Sequence, residues 1–522
     1  MEPAEYERIA VSAISRRRFL QLGAAVAGSA AVASAIPVKV YADSAVATKP
    51  AQQLAFGAAT LSSRPVQVMN GFGASGAWWP NDLGNFGSAV QEQVASMLFS
   101  PSGIGLSAYR YNVGGGGVGV TNPSRAPQTF LVGSGQYDWS RDPGGQRFLA
   151  LAAQSGVPNL VGFANSAPVS WTTNGQNCGG NLVPGAEAAY AAYLADVVTH
   201  FHDSLGIRLA YLSPMNEPDY GFGNGKQEGM IVPTAQRSTL VKALAAQFAS
   251  RAPYAVVTAD ESSQVGTQFN PEASQWLGVA GTPNALAALA HHNYDFPNSY
   301  ALQQARSIGT TYGLPLWCTE ICCFVTQTGQ FGQQYDPTIA NAMVMANLIW
   351  QTLTYANDAA FHWWVACSSA MGIDPVANPA GISQVNGAGW NDGLLYYDAN
   401  YAANGNQQIY VTKRYYALGN FSRYIRPGDQ RYTVSGTASN LRMLAFSRSG
   451  GWTLLVINNS SAGSASTSFR VQLPSRVRAL GAVETSAAKS LETTGLPLVN
   501  TNGLVSGSVP AQSVTTYTFT NG

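Results

Sequence analysis

Eight short β-rich runs alternating with Ala-rich amphipathic runs predict an α/β fold, a (β/α)8 barrel of parallel strands, carrying an appended antiparallel β-sandwich side domain. Two further observations support that class. The chain of 522 residues with 46% hydrophobic content is too long for one small core. From about Arg431 the periodicity changes from strand-then-helix to short alternating strands separated by Ser, Gly, Thr and Asn.

The expected barrel strands lie at 66–69, 107–113, 159–164, 210–214, 256–259, 286–292, 316–319 and 359–365, each a short apolar or β-branched run. Residues 186–205 carry apolar side chains at three- and four-residue spacing and read as a helix; so do residues 233–250, with Thr234 a candidate cap. Runs at 442–448, 452–458, 468–473 and 513–520 alternate apolar with polar residues, the signature of the sandwich. Short strands between residues 54 and 60 are expected to join it. The expected organisation is a leader over 1–47, N-terminal strands of the side domain over 48–65, the barrel over 66–428 and the sandwich over 429–522.

The leader reads as an export signal. Ser15-Arg16-Arg17-Arg18-Phe19-Leu20 precedes an apolar, small-residue stretch over 22–35, with cleavage sites after Ala42 or Ala47, and resembles a twin-arginine signal. The stretch is too short and too rich in Ala and Gly for a membrane anchor, and no other segment is apolar enough to span a bilayer. The expectation is a secreted, extracellular protein that meets the twin-arginine machinery transiently and keeps no stable membrane association after signal removal.

With 11% charged residues, a net charge of +1 and no basic run beyond the first twenty residues, nothing would neutralise a phosphate backbone, so nucleic acid is not an expected partner. The 24 Tyr, 11 Trp and abundant Asn, Ser and Thr suit stacking on sugar rings and bonding to hydroxyls. Five cysteines, an odd count, leave at least one free. Cys318, Cys322 and Cys323 lack a second pair at zinc-finger spacing and read as thiols packed in a buried strand.

Reactive groups in such a barrel sit at the C-terminal ends of the strands. The fourth run ends Ser213-Pro214-Met215-Asn216-Glu217-Pro218 and the seventh ends Leu316-Trp317-Cys318-Thr319-Glu320. Two glutamates facing across the mouth are what hydrolysis of a glycosidic bond with retention needs: one carboxylate to attack the anomeric carbon, one carboxylic acid to protonate the leaving oxygen. Asn216 places an amide beside Glu217, and the charge of Glu320 favours a protonated Glu217, so Glu217 reads as acid/base and Glu320 as nucleophile, with Tyr294 a candidate donor to Glu320. Singly, each glutamate also reads as a strand-end residue or as the partner of an arginine such as Arg110. His291 and His292 are adjacent and point to opposite faces, so they do not chelate one ion; His292 reads as hydrogen-bonded near the site. The chain has no His-Glu-x-x-His pattern, and Gly114 to Gly117 lacks dinucleotide spacing, so neither metal nor cofactor is expected.

Beyond these local readings, an ordered set of motifs runs along the chain: Gly71-Phe72-Gly73-Ala74 with Trp78-Trp79, Arg110-Tyr111-Asn112-Val113-Gly114-Gly115-Gly116, Asn165-Ser166-Ala167-Pro168, Ser213 to Pro218, Gln227-Glu228-Gly229, His291-His292-Asn293-Tyr294, Thr319-Glu320, and Phe421 to Gly428. In these the chain resembles glycoside hydrolase family 30, of clan A, and within it the endo-β-1,6-galactanase branch. The ending Pro510 to Thr516 is similar to that family's last sandwich strand. The resemblance implies a (β/α)8 barrel, Glu217 as acid/base and Glu320 as nucleophile. It further implies Arg110, Asn165, Asn216 and Tyr294 around the cleaved sugar, and Trp364 as an aromatic platform. Arg110 reads equally as an ion pair beneath the glutamates, Trp79 as a sugar stack or a core residue, and Glu228 as a hydroxyl ligand or a brace for its loop. Departures from the branch at Val365, Ser170-Trp171 and the residues flanking Glu320 bear on which sugar is recognised. The activity implied is endo-β-1,6-galactanase on galactan side chains, as in arabinogalactan, with polysaccharide as partner. β-1,6-Glucanase, xylanase and exo-acting β-glycosidase share the chemistry, and a carbohydrate-binding protein without catalysis is the alternative from another class.

Overall fold

The computed structural model describes residues 57–522 apart from Ser475; the leader at 1–47 and residues 48–56 lie outside the described residues. Eight parallel strands close into a barrel: β1 (Gly71–Gly76), β2 (Ala108–Val113), β3 (Asn159–Ala164), β4 (Tyr211–Ser213), β5 (Val256–Ser262), β6 (Leu286–His292), β7 (Leu316–Glu320) and β8 (Ala360–Ser368). Each pairs with the next, β8 pairs with β1, and Trp317 and Cys318 of β7 sit opposite Ala360 and Phe361 of β8. Val161, Ala288, Trp317 and Ala360, with Tyr211 against them, fill the lower interior, so the barrel is a packed core and not a pore. Strand Gly393–Tyr397 extends the sheet beside the upper half of β8, with Ile409–Val411 antiparallel to it.

The first strand departs from expectation. Residues 66–69 contribute Gln67–Val68, which pairs with Gln430–Tyr432 of the side domain, and the barrel begins at Gly71. The sequence Gly71-Phe72-Gly73-Ala74-Ser75-Gly76 has poor strand propensity. Packing requires it: a Cβ on Gly73 would lie 2.7 Å from the Ala108 Cβ and 2.8 Å from the His362 ring, so the neighbouring strand and β8 leave no room for a side chain.

Among the helices, Glu187–Leu205 ends at Gly206, whose φ of 66° lets the chain turn out of the helix. Thr234 opens the helix Thr234–Arg251 without capping it; Pro233 holds the preceding position and the Thr234 hydroxyl bonds Gln275 instead.

The side domain is two sheets face to face. One orders Val434–Ser435, Ala59–Leu61, Thr467–Gln472, Leu504–Val509 and Leu498–Val499. The other orders Gln67–Val68, Gln430–Tyr432, Leu441–Arg448, Gly451–Asn458, Ser513–Asn521, Val477–Thr485 and Ser490–Thr493. Their inner faces bury Ala59, Met443, Leu454, Phe469, Val505 and Phe519. Among the described residues no helix is long and apolar enough to cross a membrane.

Candidate active site

The site is built at the C-terminal ends of the barrel strands. Alternation along β2 sends Tyr109 and Tyr111 outward, toward Trp79 and Asp142, and Arg110 inward. Fully buried, Arg110 forks between Glu320 and Glu261, each at 3.1 Å, with a further bond of 2.8 Å to Ser75. Its guanidinium lies 4.1 Å from the centre of the Phe163 ring. Of the two readings for Arg110, the geometry is that of an ion pair beneath the glutamates.

Glu217 follows β4 and Glu320 ends β7, and His292 ends β6 between them. The His292 Nδ1 lies 3.1 Å from Glu217 Oε1, and its Nε2 lies 2.9 Å from Glu261 Oε2 and 3.7 Å from Glu320 Oε2. One oxygen of each of Glu217 and Glu320 and one ring nitrogen of His292 all fall within 4.8 Å of one another. That cluster has the donor types of a cation site, but both ring nitrogens of His292 face carboxylates. A protonated imidazole bonded on both sides has no lone pair left for a metal. Tyr294 donates to Glu320 Oε1 at 2.8 Å. Asn216 accepts from Arg110 at 3.5 Å.

Electrostatics separates the carboxyls. Burial raises Glu217 to about 7, against opposing contributions from His292 and with further raising by Glu320 and Asp219. Burial also opposes charge on Glu261, but Arg110, His292 and the Thr319 hydroxyl together hold it down at about 2. Burial opposes charge on His292 as well, yet Glu320, Glu217 and Glu261 carry it up to about 10. Two cations, Arg110 and His292, thus face three carboxyls, and of these Glu217 is the one that burial raises. Glu217 and Glu261 both adopt left-handed backbone conformations, with φ of 44° and 65°, a strain that persists where neighbours fix the residue.

Glu261 is the site residue that sequence reasoning missed. It lies where a Thr-Ala-Asp-Glu-Ser run ends β5, and three acidic or hydroxyl residues beside a strand end were the available signal. Aromatic placement differs too. Trp79 is core: it is 1% exposed, its Nε1 donates to the Ser75 carbonyl at 3.0 Å and its ring packs 4.5 Å from Phe148. Trp78 is the more exposed of the two; its ring meets Trp364 edge-on at 5.0 Å and is covered by Arg125 at 4.6 Å. Trp364 ends up buried on β8. Glu228 does not reach the pair of glutamates; it accepts backbone N–H bonds from Gly115 at 3.2 Å and Gly117 at 2.8 Å, tying its own loop to the one after β2. Asn165 is buried at the end of β3.

Cys322 and Cys323 are not packed thiols. They form a disulfide between adjacent residues just beyond Glu320, and the Cys322 sulfur lies 3.8 Å from the Tyr294 hydroxyl. Cys178, Cys318 and Cys367 are free and buried. A separate cavity of about 500 Å³, lined in part by Asn70, Tyr211, Arg306 and Trp317, opens at the opposite end of the barrel, away from the carboxylates.

The sequence model of O-glycosyl hydrolase family 30 matches residues 60–375. An exo-β-1,6-galactobiohydrolase of Bifidobacterium longum subsp. longum is 24% identical over a stretch that covers 32% of this chain and 15% of that protein's length. The crystal structure of a conserved exported protein from Bacteroides fragilis superposes with a TM-score of 0.75 at 20% identity, over 88% of this chain and 100% of that one. The catalytic domain of the family 30 xylanase C from Talaromyces cellulolyticus superposes with a TM-score of 0.66 at 25% identity, over 89% of this chain and 100% of that one.

Proposed function

We propose that this chain, which belongs to O-glycosyl hydrolase family 30, is a secreted retaining endo-β-1,6-galactanase acting on galactan side chains. The observation that carries the mechanism is the pair of glutamates with oxygens within 4.8 Å, close to the separation of about 5–5.5 Å that double displacement needs. In the first step a Glu320 oxygen bonds to the anomeric carbon as the bond to the leaving sugar oxygen breaks, and Glu217 gives that oxygen its proton. In the second step water attacks the same carbon, Glu217 takes its proton, and Glu320 leaves as carboxylate. Arg110 and Tyr294 hold the nucleophile aimed from two sides, while Asn165, Asn216 and the Trp364 wall take the sugar.

The β-1,6-galactan reading draws on the similarity to the exo-β-1,6-galactobiohydrolase of Bifidobacterium longum subsp. longum. Similarity to a xylanase domain keeps β-1,4-xylan as the second reading. Export through the twin-arginine route rests on the Arg16-Arg17 leader. The test is to incubate the protein with β-1,6-galactan, β-1,6-glucan and β-1,4-xylan and analyse products by mass, linkage and anomeric configuration, with Glu320→Gln as control. Short β-1,6-galacto-oligosaccharides released first as the β-anomer support the reading. Cleavage of another glycan alone replaces the substrate, and α-anomers overturn the mechanism.

A further inference from the structure

Two buried carboxamides at the mouth of the barrel have no partner. Neither the Nδ2 nor the Oδ1 of Asn112, nor either atom of Asn165, bonds any group among the described residues, although both side chains are at least 97% buried. Buried amides left without partners are uncommon in folded proteins because each has given up its bonds to water. Four such atoms on neighbouring strands therefore mark a place where bonding capacity is held in reserve.

Their direction follows from strand alternation. Arg110 points into the barrel toward Glu320, so Asn112, two residues on, points the same way and stands about 6.6 Å higher toward the mouth. On β3, Phe163 lies inward against the Arg110 guanidinium, and Asn165 is two residues beyond it. The strands pair with Asn112 opposite Phe163 and Val113 opposite Ala164, so the two amides stand on neighbouring strands of one wall, with Asn165 two residues nearer the mouth than the position opposite Asn112. That wall rises directly above the Arg110 that grips the nucleophile.

We infer that Asn112 is a specificity-determining residue that acts with Asn165 as an amide clamp on hydroxyls of the pyranose ring bonded at Glu320. This rests on the hydrolase reading and adds a contact to it. A carboxamide presents a donor and an acceptor side by side, and a sugar hydroxyl is both, so two amides satisfy a pair of neighbouring hydroxyls. An uncharged clamp of this kind favours a neutral sugar over one bearing a carboxylate or phosphate at the clamped positions.

The experiment compares the parent with Asn112→Ala and Asn112→Asp on an activated aryl β-galactoside and its series of monodeoxy analogues. Thermal melts check that each variant is folded. Asn112→Ala is expected to lower kcat/KM on the intact sugar about 10- to 100-fold, the scale for one buried hydrogen bond. On the analogue that lacks the clamped hydroxyl the loss should shrink to about threefold or less. Equal losses on every analogue, or no loss on the intact sugar, overturn the clamp. If the parent cleaves glucosides or xylosides and not galactosides, the substrate reading falls and the same comparison is made in the series it cleaves. If it cleaves no aryl glycoside, binding of the galacto-, gluco- and xylo-oligosaccharides is measured with Glu320→Gln, alone and with Asn112→Ala. Weaker binding by the double variant supports the clamp, and equal or absent binding sinks it.

Discussion

Tyr294 donates to Glu320 Oε1 at 2.8 Å while Arg110 holds the other oxygen, Oε2, at 3.1 Å, so this carboxyl group, the proposed nucleophile, is fixed from two sides. Removing the hydroxyl frees one side of the carboxylate. Tyr294→Phe should lower kcat roughly 10- to 100-fold, the usual cost of misplacing a reacting group, with a smaller change in KM. Steady-state kinetics on the cleaved glycan reads both, and an unchanged kcat would remove Tyr294 from the positioning of Glu320.

As the proposed acid, Glu217 would act in the first step only when protonated. Its carboxyl is raised to about 7, so kcat/KM should hold steady just below that pH and fall about tenfold per pH unit above it. His292, carried up to about 10, stays charged across this range and does not shape the limb. Glu217→Gln should abolish the alkaline limb along with most activity on natural glycans, and should spare the first step on aryl glycosides whose leaving group needs no proton. A pH–rate profile showing the same limb in Glu217→Gln would assign it to another group.

Glu261 links charge to folding. Its folded-state value of about 2 lies below the 4.5 of an unperturbed glutamate, so its contribution is present above pH 4.5 and is lost as pH falls toward 2. The difference corresponds to roughly 3 kcal/mol. Parent protein should lose stability through that window more steeply than Glu261→Gln, measured as denaturant midpoints from pH 5 to pH 2.5. At neutral pH the variant should be destabilised by about 3–5 kcal/mol, because Arg110 and His292 lose a buried counter-charge. Parallel pH dependence in the two proteins would count against the assignment.

The cysteine arrangement is checked by alkylation. Five cysteines with one disulfide leave three free. Denatured without reductant, the chain should take up three alkyl groups, and after reduction five. Peptide mapping should place the protected pair at Cys322 and Cys323; five groups without reductant would show that the pair is not bonded.

The parts of this molecule that sequence made legible are those in which a local pattern carries a single physical meaning. Asn159–Ala164 and Leu286–His292 are apolar runs bounded by turns, and their limits coincide with the strands. Glu217 and Glu320 stand out as carboxylates at the ends of such runs, and the structure brings them together. What sequence hid depends on neighbours distant in the chain. The first barrel strand lies at Gly71–Gly76 and not at 66–69, because the reason for its glycines is Ala108 and His362 pressing against it. Trp78 and Trp79 are adjacent and chemically identical, and only the start of the short helix Trp79–Leu83 decides which of them faces the core. Glu261 looks like an ordinary acidic residue until Arg110 and His292 close around it.

The short strands Ala59–Leu61 and Gln67–Val68 pair with strands contributed by the last hundred residues. The barrel is thus spliced into the sandwich, which the chain both leaves and re-enters. A gene segment encoding the barrel could not be lifted out with a single cut, since a cut on either side of it parts the two N-terminal strands from the ten that follow Gly428. Duplication or fusion in this lineage would have to move the two parts together, and a protease that nicks the chain near Gly428 should leave its fragments clasped by the sandwich they share.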